Sequence, residues 1–231
     1  MQAQVDAYSA AWWKYWQAAA VPEDSHLVFE EALEGAPPMA PQETRWQIIK
    51  ATGKCMSVGK APGPDGWGPK HWRCWPDVLW QRLSELLRSI EKVGHWPHAL
   101  RHAHVAMLPK GKPVQGLQAR PITLLSSVYR LWARCKVIHL KRWFVNAGIE
   151  PLVGGREEAE YQAGLLSLTL GYGRATGEGG GGVAFDLSKA YDSVRLDLLE
   201  RVLLGVGLEP SLVMPAIDMY RAPGPSESDP P

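Results

Sequence analysis

The chain has 231 residues, 45% of them hydrophobic, and a net charge of +1 at neutral pH; that apolar content is enough to bury a core and argues against disorder throughout. No run approaches 18 apolar residues, and the first residues lack a basic region leading into an apolar stretch and a small-residue cleavage site. Neither membrane spanning nor secretion is therefore expected, and an intracellular protein, cytoplasmic or nuclear, is the default.

Residues 1–20 read as a helix crowded with Trp12, Trp13, Tyr15 and Trp16, followed from Val21 by a loop. Residues 35–42 form a turn-rich linker, and residues 44–58 predict a helix with Trp46, Ile48 and Ile49 partly buried. Residues 60–67 alternate proline and glycine around Asp65, which excludes helix and central strand and leaves an ordered turn or a joint. From Pro76 the spacing of Leu79, Leu83, Leu86, Leu87 and Ile90 predicts one apolar helix face. Residues 103–108 predict a short strand ended by Pro109, and Lys110, Gly111, Lys112 and Pro113 make a basic turn that suits a hairpin.

Ser126 or Ser127 is a ready cap for a helix running to about Asn146, with Val128, Leu131, Trp132, Cys135 and Ile138 on one side and Arg130, Arg134 and Lys141 gathered on another. Residues 156–173 predict a further helix, and a glycine-rich loop at 177–182 leads into a short buried strand, Val183, Ala184 and Phe185, with Asp186 directly after it. Leu196, Leu199, Val202, Leu203 and Val206 mark another amphipathic helix, for which Asp192 or Ser193 is a candidate N-cap. The segment after Arg221 is too rich in proline, serine and acid to pack a core. The whole reads as a predominantly helical α+β chain.

Three features bear on chemistry. Residues 92–149 contain no Asp or Glu, where the chain average predicts about six, and they carry ten cations: Lys92, Arg101, Lys110, Lys112, Arg120, Arg130, Arg134, Lys136, Lys141 and Arg142. Such segregation is expected where a polyanion binds, because lysine and arginine neutralise phosphates and release counterions; the alternative is a solvated basic surface. Asp186, at the end of an apolar strand, needs a hydrogen bond, a partner or a cation, so Mg²⁺ binding stands beside a capping or turn role. His95, His98, His102 and His104 raise a metal site, with no cysteine or carboxylate near in sequence to complete it. The loop at 177–182 lacks the Gly-Lys-Ser/Thr ending of a P-loop. Cys55, Cys74 and Cys135 are odd in number and widely spaced, which fits reduced thiols.

The segment from Val183 to Val194, with Asp186, Tyr191 and Asp192, resembles the first catalytic palm motif of reverse transcriptases. Residues 60–67 are similar to the Pro-Gly-Pro-Asp-Gly block of the non-long-terminal-repeat and group II intron enzymes. Residues 105–110, followed by Ala119, Arg120, Pro121, Ile122, Thr123, Leu124, Leu125 and Ser126 and by Tyr129, resemble their fingers. The resemblance covers roughly residues 45–221 and implies an RNA-directed DNA polymerase of a LINE-like retrotransposon: the fingers and partial palm of a right-hand polymerase. It implies a fingers-like region at 43–182 and the start of a palm at 183–221, beside the N-terminal helix and linker at 1–42 and the tail at 222–231 read from the sequence pattern. Asp186 would then be a Mg²⁺-binding catalytic aspartate. Lys110, Arg120 and Tyr191 would contact the incoming dNTP, and Lys112, Arg130, Arg134 and Lys141 the RNA template and DNA primer. Asp192 matches the motif but is expected to cap the next helix.

After the first palm motif the family's later Gln-Gly and Tyr-x-Asp-Asp motifs do not follow in this sequence, so a fragment inactive by itself is expected. The segment 154–163 matches the family only loosely. A noncatalytic module holding a single strand by charge and exposed tryptophans, or a degenerate retroelement remnant, are the other readings.

Overall fold

A computed structural model of the chain describes residues 37–109, 119–147, 156–177 and 194–221. In chain order these form α1 (Trp46–Lys54), α2 (Pro69–Trp72), α3 (Asp77–Val93), α4 (His98–Arg101), β1 (His104–Pro109), β2 (Ala119–Leu124), α5 (Ser127–Asn146), α6 (Arg156–Thr176), α7 (Leu196–Gly205) and α8 (Pro210–Tyr220). The described chain is mostly helical, with one two-stranded antiparallel sheet, in keeping with an α+β class. Among the described residues no helix is long and apolar enough to cross a membrane. The expected N-terminal helix, the strand at 183–185 and the segment after Arg221 lie outside the described residues.

α3 organises the core. It starts after Pro76, carries Asp77 in its first turn, and ends where Gly94, in the left-handed conformation, donates its N–H to the Ile90 carbonyl at 2.7 Å. Its buried face is Trp80, Leu83, Ser84, Leu87, Ile90 and Glu91, whereas Leu79 and Leu86 are exposed. This corrects the expected stripe. The spacings i, i+3, i+4 and i+7 starting at Trp80 fit the 3.6-residue period as well as those of the leucines, and the indole buries far more area than either displaced leucine. α1 packs on both α3 and α5, and α8 packs on α3 and α7.

The described tryptophans are mainly core. Trp72, Trp80, Trp96, Trp132 and Trp143 are all buried and Trp67 is exposed. Trp96 meets Tyr129 and Trp132 edge-on, at ring-centroid distances of 5.4 and 5.6 Å. Burying an aromatic removes about 150–250 Å² from water, or about 4–6 kcal/mol each at about 25 cal/mol per Å² as an upper bound.

The residues ahead of α1 are a strap laid through this core. Trp143 Nε1 donates to the Pro37 carbonyl at 2.8 Å, Met39 N–H to the Gly207 carbonyl at 2.7 Å, and Ser84 Oγ to the Thr44 carbonyl at 2.6 Å. The strap thus joins α5, α3 and the α7–α8 turn, and Met39 and Thr44 are buried in it. α6 stands apart: Leu165, Leu166, Leu168, Leu170 and Tyr172 are exposed. The N-cap of α7 is Arg195, three residues after Asp192 and two after Ser193, the expected caps, both of which lie outside the described residues. Arg195 pairs with Asp197 there, and that hydrogen bond holds the Asp197 carboxyl well below the usual carboxylate range.

Candidate nucleic-acid interface

Residues 60–67 are an ordered turn. Gly66 N–H donates to the Gly63 carbonyl at 3.0 Å across Pro64 and Asp65, the arrangement that a proline with preset φ favours. The turn is clasped onto the first residues of α5, 60 or more positions away. Gly63 N–H donates to Ser127 Oγ (3.0 Å), the Ser127 hydroxyl donates to the Trp67 carbonyl (2.7 Å), and Val128 N–H donates to Asp65 Oδ2 (3.0 Å). Asp65 thereby satisfies one of the free amides at the start of α5 and puts negative charge at the positive end of its dipole. Ser126, the N-cap, takes another amide from Tyr129 at 3.2 Å. A methyl group on Gly63 would lie 2.4 Å from the Leu125 carbonyl oxygen, so only glycine lets the two backbones approach this closely.

The clasp fixes the exit of the hairpin. β1 and β2 pair with His104 opposite Leu124 and Leu108 opposite Arg120, and Leu125 leads straight into the clasped cap. The hairpin is open to solvent, with Val105, Leu108 and Ile122 exposed. Two strands alone are marginal in water, so the clasp at its base is its main anchor among the described residues.

The ten cations of residues 92–149 part company in the fold. Lys136 is buried and forms an ion pair of 2.9 Å with Glu91, whose same oxygen accepts from Trp132 Nε1 at 2.9 Å and from the Thr44 hydroxyl. Lys136 also donates to the Gln42 carbonyl at 3.3 Å. Arg101 lies 3.7 Å from Asp218. Arg130 donates to the Ala61 carbonyl (2.8 Å) and to Ser127 Oγ (2.7 Å). Its guanidinium therefore holds the clasp, a correction to its expected place in an open cationic face. Arg134, Lys141 and Arg142 remain exposed along α5. Burial and then the neighbouring Lys136 and Arg142 cations push the His139 imidazole below its ordinary range, a sign of positive potential on this helix. Ile138, expected in the core, is exposed together with Val137 and Val145.

Asp186, Lys110, Lys112 and Tyr191 lie outside the described residues. Arg120 is placed by its backbone alone, in β2. Among the described residues no group of three or more His, Cys, Asp or Glu side chains is arranged to hold a metal ion. His98 and His102 stack edge-on at 4.7 Å, and His95 instead bonds Asp218 Oδ1 through Nδ1 at 3.0 Å. The three thiols are free, Cys55 and Cys74 exposed and Cys135 buried. Burial pushes the Cys135 thiol up.

Two polar centres were not legible from sequence patterning alone. The Glu91–Lys136 pair was hidden because each residue falls on an apolar face; Lys136, four residues after Trp132, was the available signal. The second is Asp218 in α8, which accepts Trp96 N–H at 2.8 Å and His95 at 3.0 Å. It joins the last described helix to the segment ahead of α4.

No family model matches the chain. Over 172 residues it is 27% identical to the Xenopus laevis protein named "Transposon TX1 uncharacterized 149 kDa protein", taking in 72% of this chain and 13% of that protein. The chain thus spans a small part of that relative's length, and the similarity is to a transposon-encoded protein.

Proposed function

We propose that this chain is part of a retroelement reverse transcriptase, supplying the fingers and the first palm strand of an enzyme that copies RNA into DNA. The observation that supports this best is the clasp. Residues 60–67 and the stretch 119–126 with Tyr129, both of which resemble the family, meet where Gly63 and Asp65 bond Ser127 and Val128, between Ser126 and Tyr129. The similarity to a transposon-encoded protein points the same way.

In this reading Asp186 holds Mg²⁺, which when bound would neutralise charge on the triphosphate. Lys110 and Arg120 neutralise the phosphates of the dNTP and Tyr191 lies against its sugar, since phosphoryl transfer depends mostly on positioning and charge. Lys112, Arg134 and Lys141 meet the RNA template and DNA primer. Arg130 is a positioning residue that acts through the clasp. A module built on several exposed tryptophans is disfavoured, because five of the described tryptophans are buried.

The 231 residues are expected to bind a primer–template at low salt, to lose it as salt rises, and not to extend the primer with Mg²⁺ and dNTPs. Extension by the parent chain that Asp186→Asn abolishes would make the fragment a complete catalyst. Absence of any salt-sensitive binding to the primer–template would overturn the reading.

A further inference from the structure

Trp67 departs from its neighbours. It is 43% exposed, whereas the nearby Trp72 and Trp80 are fully buried. Its backbone is fixed by the bond from the Ser127 hydroxyl to its carbonyl. Its indole is braced by His71 at 5.9 Å and by Trp75 at 5.2 Å, at interplanar angles of 89° and 81°, and Trp75 rests in turn on buried Trp80 at 5.2 Å. Neither brace lies parallel to the Trp67 ring as a nucleobase would. A large aromatic is thus held in water by a rigid chain of rings rooted in the core, with little rotamer entropy left to lose on binding.

Its neighbours in sequence are cationic. Lys60, Lys70 and Arg73 are exposed on the same turn-and-helix segment. Asp65 is the one acid between residues 46 and 76, and its carboxylate is turned to the amide of Val128. Exposed aromatic surface beside lysine and arginine, without competing acid, is what a single strand needs: a π-face for a base and cations for the flanking phosphates.

We infer that Trp67 is a stacking platform for an unpaired base of single-stranded nucleic acid, with Lys60, Lys70 and Arg73 contacting the adjoining phosphates. The inference rests on the nucleic-acid part of the function proposed above and not on polymerisation. An acidic or proline-rich protein segment is the competing occupant, and it would make no use of bases.

The test is fluorescence anisotropy of the full 231-residue chain with a labelled oligo(dT) of about 20 nucleotides and a matched abasic strand. The parent chain is expected to prefer the base-bearing strand. Trp67→Ala is expected to lose about 5- to 100-fold in affinity for it and to erase the preference, with Trp67→Phe staying close to the parent. The bond that fixes this residue uses its backbone carbonyl, so the clasp survives loss of the ring. A Lys70→Gln, Arg73→Gln variant leaves the rings untouched and is expected to lower the salt slope by about one to two. Equal binding of base-bearing and abasic strands by the parent, Trp67→Ala binding as the parent does, or an unchanged salt slope in the lysine–arginine variant would each overturn the inference. So would Trp67-dependent binding of a proline-rich peptide by a chain that binds no strand. Trp67-dependent strand binding without primer extension leaves this inference standing whatever becomes of the polymerase reading.

Discussion

At Gly53 an added Cβ would sit 2.7 Å from Trp80 Cη2 and 3.2 Å from Cζ3, and 3.5 Å from the Trp72 ring. Trp80 has no exposed surface, so its ring cannot swing away. Two effects oppose each other in Gly53→Ala. The helix would gain about 0.8–1 kcal/mol from alanine's propensity, while forcing a methyl into a packed interface costs about 1–3 kcal/mol or more. The clash should prevail, since it meets the body of a locked indole and not a flexible tip. Gly53→Ala is expected to lower the urea midpoint, by about 1–2 kcal/mol of stability; a variant as stable as the parent would place Trp80 elsewhere. Trp80→Phe should be milder than Trp80→Ala, because the Trp80 indole N–H has no hydrogen-bond partner among the described residues to lose, whereas truncation opens a cavity costing about 3–5 kcal/mol. Comparison of the two variants by thermal unfolding checks this.

Among the elements, α5 does two jobs with one length of chain. Its first turn is the receiving half of the clasp, and beyond it Trp132, Cys135 and Lys136 enter the core while Arg134, Lys141 and Arg142 turn outward. Lys136 is the hinge of that division. Its side chain is 5% exposed and that of Glu91 8%, so removing one charge strands the other away from water. Lys136→Met is expected to cost about 3–5 kcal/mol, and the double change Lys136→Met with Glu91→Gln distinctly less, since the neutral amide leaves no uncompensated charge and its oxygen still accepts from Trp132 and Thr44. Denaturant unfolding of the three proteins decides it: a double variant at least as unstable as Lys136→Met would mean that the charges are not coupled.

At the scale of the molecule, the strap at 37–44 and the Asp218 latch tie distant ends of the described chain into one core. Burial alone would raise the Asp218 carboxyl, but the His95 hydrogen bond, the Trp96 amide and Arg101 outweigh it and leave the group below the usual carboxylate range. A lowered folded pKa means that the latch stabilises the fold fully above the ordinary aspartate value of about 4 and is lost as pH falls through the folded value. Urea midpoints measured from pH 6 down to about 2.5 should therefore fall more steeply for the parent than for Asp218→Asn. Parallel curves would remove Asp218 from the set of groups that couple stability to acid.

Local grammar determined much of this protein. The helix starting at Pro76, the strand ended by Pro109, the Ser126 cap and the turn at 60–67 follow from proline geometry, hydroxyl capping and short-range periodicity, and each depends only on residues a few positions apart. The resemblance in residues 60–67, 105–110, 119–126 with Tyr129, and 183–194 was likewise legible in the chain alone. What tertiary structure decided was the partner of each side chain. Periodicity could not choose between Leu79 and Trp80, because both fit a helical stripe and the packing of α1 against α3 settles which faces inward. Charge counting could not separate Lys136, buried on Glu91, or Arg130, spent on the clasp, from Arg134 and Lys141, because a cation's role depends on what lies across from it. Glu91 stands 45 residues from Lys136 and Ala61 stands 69 from Arg130, beyond the reach of any local pattern, and they become neighbours only when the core closes.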